Sequence, residues 1–421
     1  MSRARGRTTS FPKCKGTQRK SPSRVLAVLF GLAGLLAGTS GCESLLNVDN
    51  PRDVLSEDLR SPQAAPVLLQ GVIGDFNWTY TYAHMTSGYF SNELIHTGSA
   101  SGWRELERGS VPPAGTGASG TLYDRASRAA WVAQNAVEVF REVFDDADRR
   151  EGTARALIYR GFALFILADN YCVVTLNASA PLQPSEVYAR AEGHFTEALA
   201  IAQAAGSQRA TLEARAGRAR ARLFTGDYQG AAQDAAGIPD GWEMLAVFSE
   251  NSARENNFVA TQATDQIRKE GGINPRFYQD PRYRQDPRFG MIDQGPTFTG
   301  EDRIRQFVEQ TRYPTRATNA RVHSWQEARL IQAEAEVRMG NLNEGVALLN
   351  ALRAPDEVAP YDGPLTADGI LEEILYDRSV ILFLEAKHLA DLRRTNHPLL
   401  EGRDRCLPLS QAEQQSNPNL G

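Results

Sequence analysis

The stretch Gly115-Thr116-Gly117-Ala118-Ser119-Gly120 has the GxGxxG spacing with which dinucleotide sites bring backbone N–H groups to a pyrophosphate. Its context does not suit that role. Val111-Pro112-Pro113 precedes it where a hydrophobic strand is required, and the region that should carry a strand-borne acid reads as the helix Ala126–Phe144. The stretch is therefore read as part of a loop over Gly98–Gly120. Six histidines (His84, His96, His194, His323, His388 and His397) show neither i, i+4 pairing nor a CxxC companion, so no metal site is expected. Glycoside hydrolysis needs two carboxylates held ~5–9 Å apart, and none of the 51 acidic residues stands in a distinctive motif of that kind. Arg378 and Glu385, seven apart, fall on one face of a helix, with Asp391 further along. In an apolar segment such charges are read as buried ion pairs that fix packing. With no nucleophile elbow or P-loop either, the chain is expected to be no enzyme, with no catalytic residue and no cofactor.

The elements that would carry any site are helical hairpins. In Trp325–Arg353, Ala328, Ile331, Ala335 and Met339 form one apolar stripe, Gly340-Asn341 breaks it, and Val346, Leu349 and Leu352 start another. Two helices joined by so short a turn lie antiparallel. Glu327, Glu334, Arg338 and Glu344 are expected to face water. Arg215–Ile238 repeats the pattern around Gly226-Asp227, with Leu223 where the first copy has Met339. A helix-turn-helix of roughly 34 residues is the tetratricopeptide signature, and such units need neighbours to bury their faces. Further helices are expected within Ala126–Val143, Arg155–Ala168 and Val187–Ala205. Gln63–Tyr82 begins helically, and its alternating Phe76, Trp78, Tyr80 and Tyr82 admit either a strand or a helix buried on both faces. Gly369–Arg394 reads as helix and the chain from Pro398 as an extended tail. Between Gly237 and Asn319 regular structure is sparse, and so long an irregular stretch is usually functional.

Composition narrows the class. The 421 residues are 42% hydrophobic and 23% charged, with a net charge of −5. The first 41 hold eight Lys/Arg and no acid; without them 38 basic residues face 51 acidic ones, a net charge of −13. So acidic a body has no footprint for nucleic acid. Val25–Gly38 is apolar but too short for a spanning helix, which needs ~20 residues, and suits the core of a secretory signal. Thr39-Ser40-Gly41-Cys42 then resembles a bacterial lipobox, which implies acylation of Cys42. Cys14 would leave with the signal and Cys42 would carry lipid. Cys172 and Cys406 remain, for which an oxidising compartment suggests a disulfide, with two separate buried thiols as the alternative.

Several separated segments together resemble the SusD/RagB outer-membrane nutrient-binding lipoproteins. Asn47-Val48-Asp49-Asn50-Pro51 is similar to the segment after the lipid cysteine, Trp131–Asn135 to an early helix ending in asparagine, and Trp325–Arg353 to the late tetratricopeptide unit. Asp377–Arg394 resembles the pattern in which Arg378, Glu385, Asp391, Arg393 and Arg394 recur. The tail Leu407-Pro408-Leu409, Glu413 and Asn417-Pro418-Asn419 is similar to the family's ending. The resemblance implies a mainly α fold of tetratricopeptide-like hairpins in a superhelical scaffold. A signal over 1–41 precedes one domain over 42–421, with helical pairs around 126–238 and 324–394 and a loop-rich insertion at about 239–320. It further implies a lipid-anchored protein at the cell surface, in the outer membrane. Such a protein captures oligosaccharides or peptides and delivers them to a SusC-like TonB-dependent transporter.

Glycan-binding surfaces lay aromatic faces against sugar rings. The candidates are Trp78, Tyr80, Tyr82, Trp103, Tyr278, Tyr283 and Phe289, each in or beside a loop-rich segment. Two other classes stay open: a helical-repeat scaffold lipoprotein of outer-membrane assembly, and a secreted glycan hydrolase. A neighbouring gene for a TonB-dependent barrel would separate the first from a transporter-linked binder, and release of reducing sugar from a glycan would mark the second.

Overall fold

Helix α1 (Ala65–Phe90) is the central element, and every residue from Thr79 to its end is buried. The structure, a computed structural model, describes residues 59–420; the signal-like stretch, Cys42 and Asn47–Pro51 lie outside them. The alternating aromatics of α1 belong to a helix because each meets a different neighbour. Phe76 stacks edge-on to Tyr159, while Tyr82 meets Trp103 and Phe258. A helix so enclosed has no polar face, which gives its sequence a strand-like look.

Around α1 the chain winds as antiparallel helices: α2 (Ser101–Arg108), α3 (Gly117–Val143), α4 (Glu151–Asn170), α5 (Pro184–Ala204), α6 (Gln208–Thr225) and α7 (Tyr228–Ala236). From α3 to α7 each packs on its predecessor, and α1 covers α3 and α4. The expected loop Gly98–Gly120 is corrected here: it contains α2, and Gly117 to Gly120 open α3. Phe195 of α5 explains how closely α4, α5 and α6 approach. A Cβ on Gly161 would lie 2.5 Å, and one on Gly217 2.2 Å, from its ring carbons. Gly226 closes α6 at φ +90°, which glycine adopts without strain, and Asp227 caps α7 by accepting from the Gly230 N–H.

Residues 237–319 are irregular but not unstructured. They hold β2 (Glu243–Ala246), α8 (Phe258–Gln262), β3 (Ala263–Thr264), β4 (Arg268–Lys269), β5 (Gly271–Ile273), α9 (Pro275–Tyr278), α10 (Pro281–Gln285), β6 (Met291–Asp293) and β7 (Val308–Gln310). These strands form two-stranded antiparallel pieces: β3 with β4, β6 with β7, β5 with β1 (Leu94–His96), and β2 with β8 (Ala320–Ser324). Strand β8 runs directly into α11 (Trp325–Arg338), whose N-terminus Ser324 caps. The chain ends with α12 (Leu342–Arg353), α13 (Ala367–Ile381), α14 (His388–Arg394) and α15 (Gln411–Ser416), so short helical turns replace the expected extended tail.

The two tetratricopeptide-like hairpins, distant in sequence, are neighbours in space. Leu212, Ala216, Ala219 and Leu223 of α6 share one apolar core with Ala231 and Ala235 of α7 and with Ala328, Ile331 and Ala335 of α11. Met339 does not belong to that stripe; it lies past the end of α11, 38% exposed.

A correction concerns α11's acids. Glu327 and Glu334, expected in water, are 0% and 1% exposed. The face that carries them packs on residues 377–394, which supply cations. From that segment Arg394 binds Glu334 and Lys387 binds Glu327, and Arg338 of α11 itself also binds Glu334. Arg378 and Glu385 are not on one helix either. Helix α13 stops at Ile381, and Leu384 and Ala386 take left-handed φ of +55° and +57°. Arg378 therefore pairs with Asp391 at 2.8 Å, while Glu385 receives Arg312 at 2.7 Å and Arg321 at 2.5 Å.

Burial alone would raise these carboxyls. Arg394, Arg378 and Arg338 instead hold Glu334 below its usual range, and Arg321, Lys387 and Arg312 do the same for Glu385. A depressed folded-state value contributes stability that is complete above the unfolded carboxylate range, about 4, and is lost as pH falls below it. Asp391→Asn should cost about 3–5 kcal/mol at pH 7, because it strands Arg378 in the interior. Urea titrations should show wild-type stability falling steeply below about pH 4. A wild type equally stable at pH 7 and pH 3 would contradict this account.

Candidate functional site

Helix α3 buries Ala126, Ala129, Ala130, Ala133, Val137 and Phe140. Trp131 falls off that stripe and is 55% exposed. It forms one wall of a recess of about 490 Å³, lined also by Arg128, Gln134, Arg160, Asn177 and Glu413. Among the described residues no ring or cation stacks on Trp131, so its indole face is available. Polar groups converge one turn along the same helix. The Gln134 Oε1 accepts from the Arg160 Nη2 at 2.9 Å and from the Asn177 Nδ2 at 3.1 Å.

The recess is held from three directions. Arg393 donates to the last carbonyls of α4, at Ala168, Asp169 and Tyr171, and so fixes where the next loop leaves. In that loop the Thr175 N–H donates to the Tyr123 hydroxyl at 2.9 Å, and the Thr175 hydroxyl donates to Glu413 at 2.6 Å. Asn177 and Ala178 then take left-handed φ of +53° and +56°. For alanine this costs about 1–2 kcal/mol and persists only where the surroundings impose it. The tail imposes it. Asn419 donates to the Ala178 carbonyl at 2.8 Å and Asn417 to the Ser179 carbonyl at 2.9 Å. Cys172 and Cys406 are joined, with an S–S distance of 2.01 Å across 234 residues, and lay the tail along the loop. The Leu407 N–H donates to Asn170 and the Cys172 N–H to Leu407, which completes that seam.

The aromatics singled out from the sequence are not brought together. Tyr80, Tyr82, Tyr278 and Phe289 are buried. Tyr80 donates to the Arg321 carbonyl at 2.8 Å, and Phe289 stacks on Phe277. Trp78 is half-buried beneath Arg125 at 3.7 Å and Arg254 at 4.8 Å. Trp103 packs against Tyr82 and Tyr89. Tyr283 lines a larger cleft of about 690 Å³, together with Tyr376, His388 and His397. There the Tyr283 ring packs edge-on to Phe277 and Phe289 with its hydroxyl bonded to Ser379 at 2.8 Å, and Arg282 covers Tyr376 at 3.5 Å. Trp131 was the residue that loop-based reasoning passed over. The signal that finds it is a tryptophan on the outer face of an alanine-striped helix. Among the described residues no cluster of three or more His, Cys, Asp or Glu could hold a metal ion.

No protein family model and no curated protein matches the sequence. Solved structures do match the fold. A SusD-like carbohydrate binding protein from Bacteroides fragilis superposes with a TM-score of 0.68 at 16% identity, over 86% of this chain and 99% of that one. A SusD-like carbohydrate binding protein from Bacteroides vulgatus gives 0.67 at 14% identity, over 85% and 97%. Surface glycan-binding protein A from Bacteroides thetaiotaomicron gives 0.67 at 13% identity, over 86% and 98%. The chain therefore has the SusD-like fold, mainly α with tetratricopeptide-like hairpins.

If the tail fixes the recess, Asn419→Ala should leave the melting transition within about 0.5–1.5 kcal/mol of wild type, the worth of one hydrogen bond. Amide protection should fall selectively at residues 175–180, as read by hydrogen exchange. Unchanged protection there would show that the loop holds itself.

Proposed function

We propose that this chain is a glycan-binding protein of the cell surface, anchored through an acylated Cys42, that passes its ligand to a SusC-like TonB-dependent transporter. The observation that carries the reading is the half-exposed indole of Trp131, on which no ring or cation stacks among the described residues, set in a recess that also carries hydrogen-bonding groups. A pyranose ring offers an apolar face to the indole and hydroxyls to Gln134, Asn177 and Arg160. The structural neighbours described as carbohydrate binding support the ligand class. The transporter partner and the anchor rest on the resemblance of the sequence and on the signal-like stretch before Cys42.

Binding without cleavage fits the recess better than hydrolysis. Among the described residues Glu413 is the only carboxylate lining it, and its Oε1 already accepts from Thr175 and Asn417. A glycosidase needs a second acid across the scissile bond.

A glycan array followed by calorimetry tests the ligand. Trp131→Ala should weaken binding on the order of tenfold, about 1.4 kcal/mol, while Tyr283→Ala leaves it unchanged. Equal binding by wild type and Trp131→Ala sinks the site. The anchor is tested separately: Cys42→Ser should move the protein from the membrane fraction to the soluble one, and its retention on the membrane would reject acylation at this residue.

A further inference from the structure

The Trp131 recess is unbalanced in charge. Among the described residues Arg128 and Arg160 line it against the single carboxylate of Glu413. Arg128 is engaged by Asp75 at 3.1 Å, a residue that does not line the recess. Arg160 is half-buried and forms no ion pair among the described residues; its one hydrogen bond there runs from Nη2 to Gln134. Acids that influence it from further off are committed elsewhere. Glu138 accepts from the Gln134 amide at 2.7 Å, and Glu197 binds Arg141. Burial pushes the Arg160 guanidinium below its ordinary value, and Arg190 adds like charge. Placing a cation in a concave wall without a counter-ion is costly unless something supplies one. A guanidinium fork with donors to spare matches the two oxygens of a carboxylate or sulfate.

We propose that the recess selects anionic pyranosides, with the sugar ring on Trp131 and its carboxylate or sulfate on Arg160. This rests on the glycan-binding reading and deepens it to a substrate class. An uncharged sugar leaves the Arg160 charge unmatched, whereas a uronate brings its counter-ion with it. Gln134 serves as a positioning residue, because its amide oxygen holds Arg160 and Asn177 toward the same side.

Titration calorimetry on the full mature chain tests this with three probes: an oligogalacturonide, a sulfated disaccharide from heparin, and an uncharged oligogalactoside. The wild type should bind one of the anionic probes at least about tenfold more tightly than the uncharged one, and the difference should shrink in high salt. The oligogalacturonide and the heparin disaccharide separate carboxylate from sulfate as the recognised group. Arg160→Gln should weaken binding of the anionic probe far more than that of the uncharged one and so abolish the preference, while Arg160→Lys should retain part of it. Equal affinity for charged and uncharged probes, or a preference that survives Arg160→Gln, overturns the anionic assignment and leaves glycan binding standing. If no saccharide binds, or Trp131→Ala changes nothing, the underlying reading falls instead.

Discussion

The fold depends on a chain of buried ion pairs that closes where residues 377–394 meet the helical hairpins. Asp169 of α4 binds Arg220 of α6 at 2.8 Å, and Arg220 lies 3.7 Å from Glu327 of α11. Glu327 shares Lys387 with Glu385, and Glu385 receives Arg312 from the irregular region and Arg321 from β8. Three structural layers thus meet through charges that have left water together. Such pairs add little net stability over apolar replacements, but removing one partner strands the other. Their value here is registry. Alanine faces slide over one another easily, and a buried carboxylate matched to one cation does not.

That registry reaches the recess. Arg393 follows Asp391 by two residues on the short helix α14, whose position the Arg378–Asp391 and Arg394–Glu334 pairs set. From there its guanidinium closes the end of α4, and the loop 171–179 departs from that point. The buried network, the closing of α4 and the strained Asn177-Ala178 rim form one continuous path from core to surface.

Much of the scaffold was legible in the sequence, and the reasons are local. Gly226 and Gly340 both adopt φ +90° at the end of a helix, and each is followed by a residue suited to starting the next. Apolar spacing located α6, α11 and α12 because each carries an apolar stripe set among polar positions. The failures share a cause. Periodicity separates polar from apolar positions but does not show that the polar side of α11 meets a partner of opposite charge, so Glu327 and Glu334 looked exposed. Between 237 and 319, Pro, Gly and Asp report that regular structure is absent, yet they say nothing of depth. Phe277 and Phe289 are buried because Phe383, about a hundred residues away, packs on both. Trp131 was hard to see for the opposite reason: a large aromatic on a strong helix is ordinarily core.

The origin of the rim has an evolutionary consequence. Glu413, Asn417 and Asn419 come from one segment, residues 411–420, outside the helical hairpins, and the Cys172–Cys406 bond fastens that segment in place. Exchange of this short terminal stretch alone would recut the opening around Trp131 while leaving the inherited scaffold intact. The opening can thus vary by substitution within one segment, while the hairpins that carry it stay as they are.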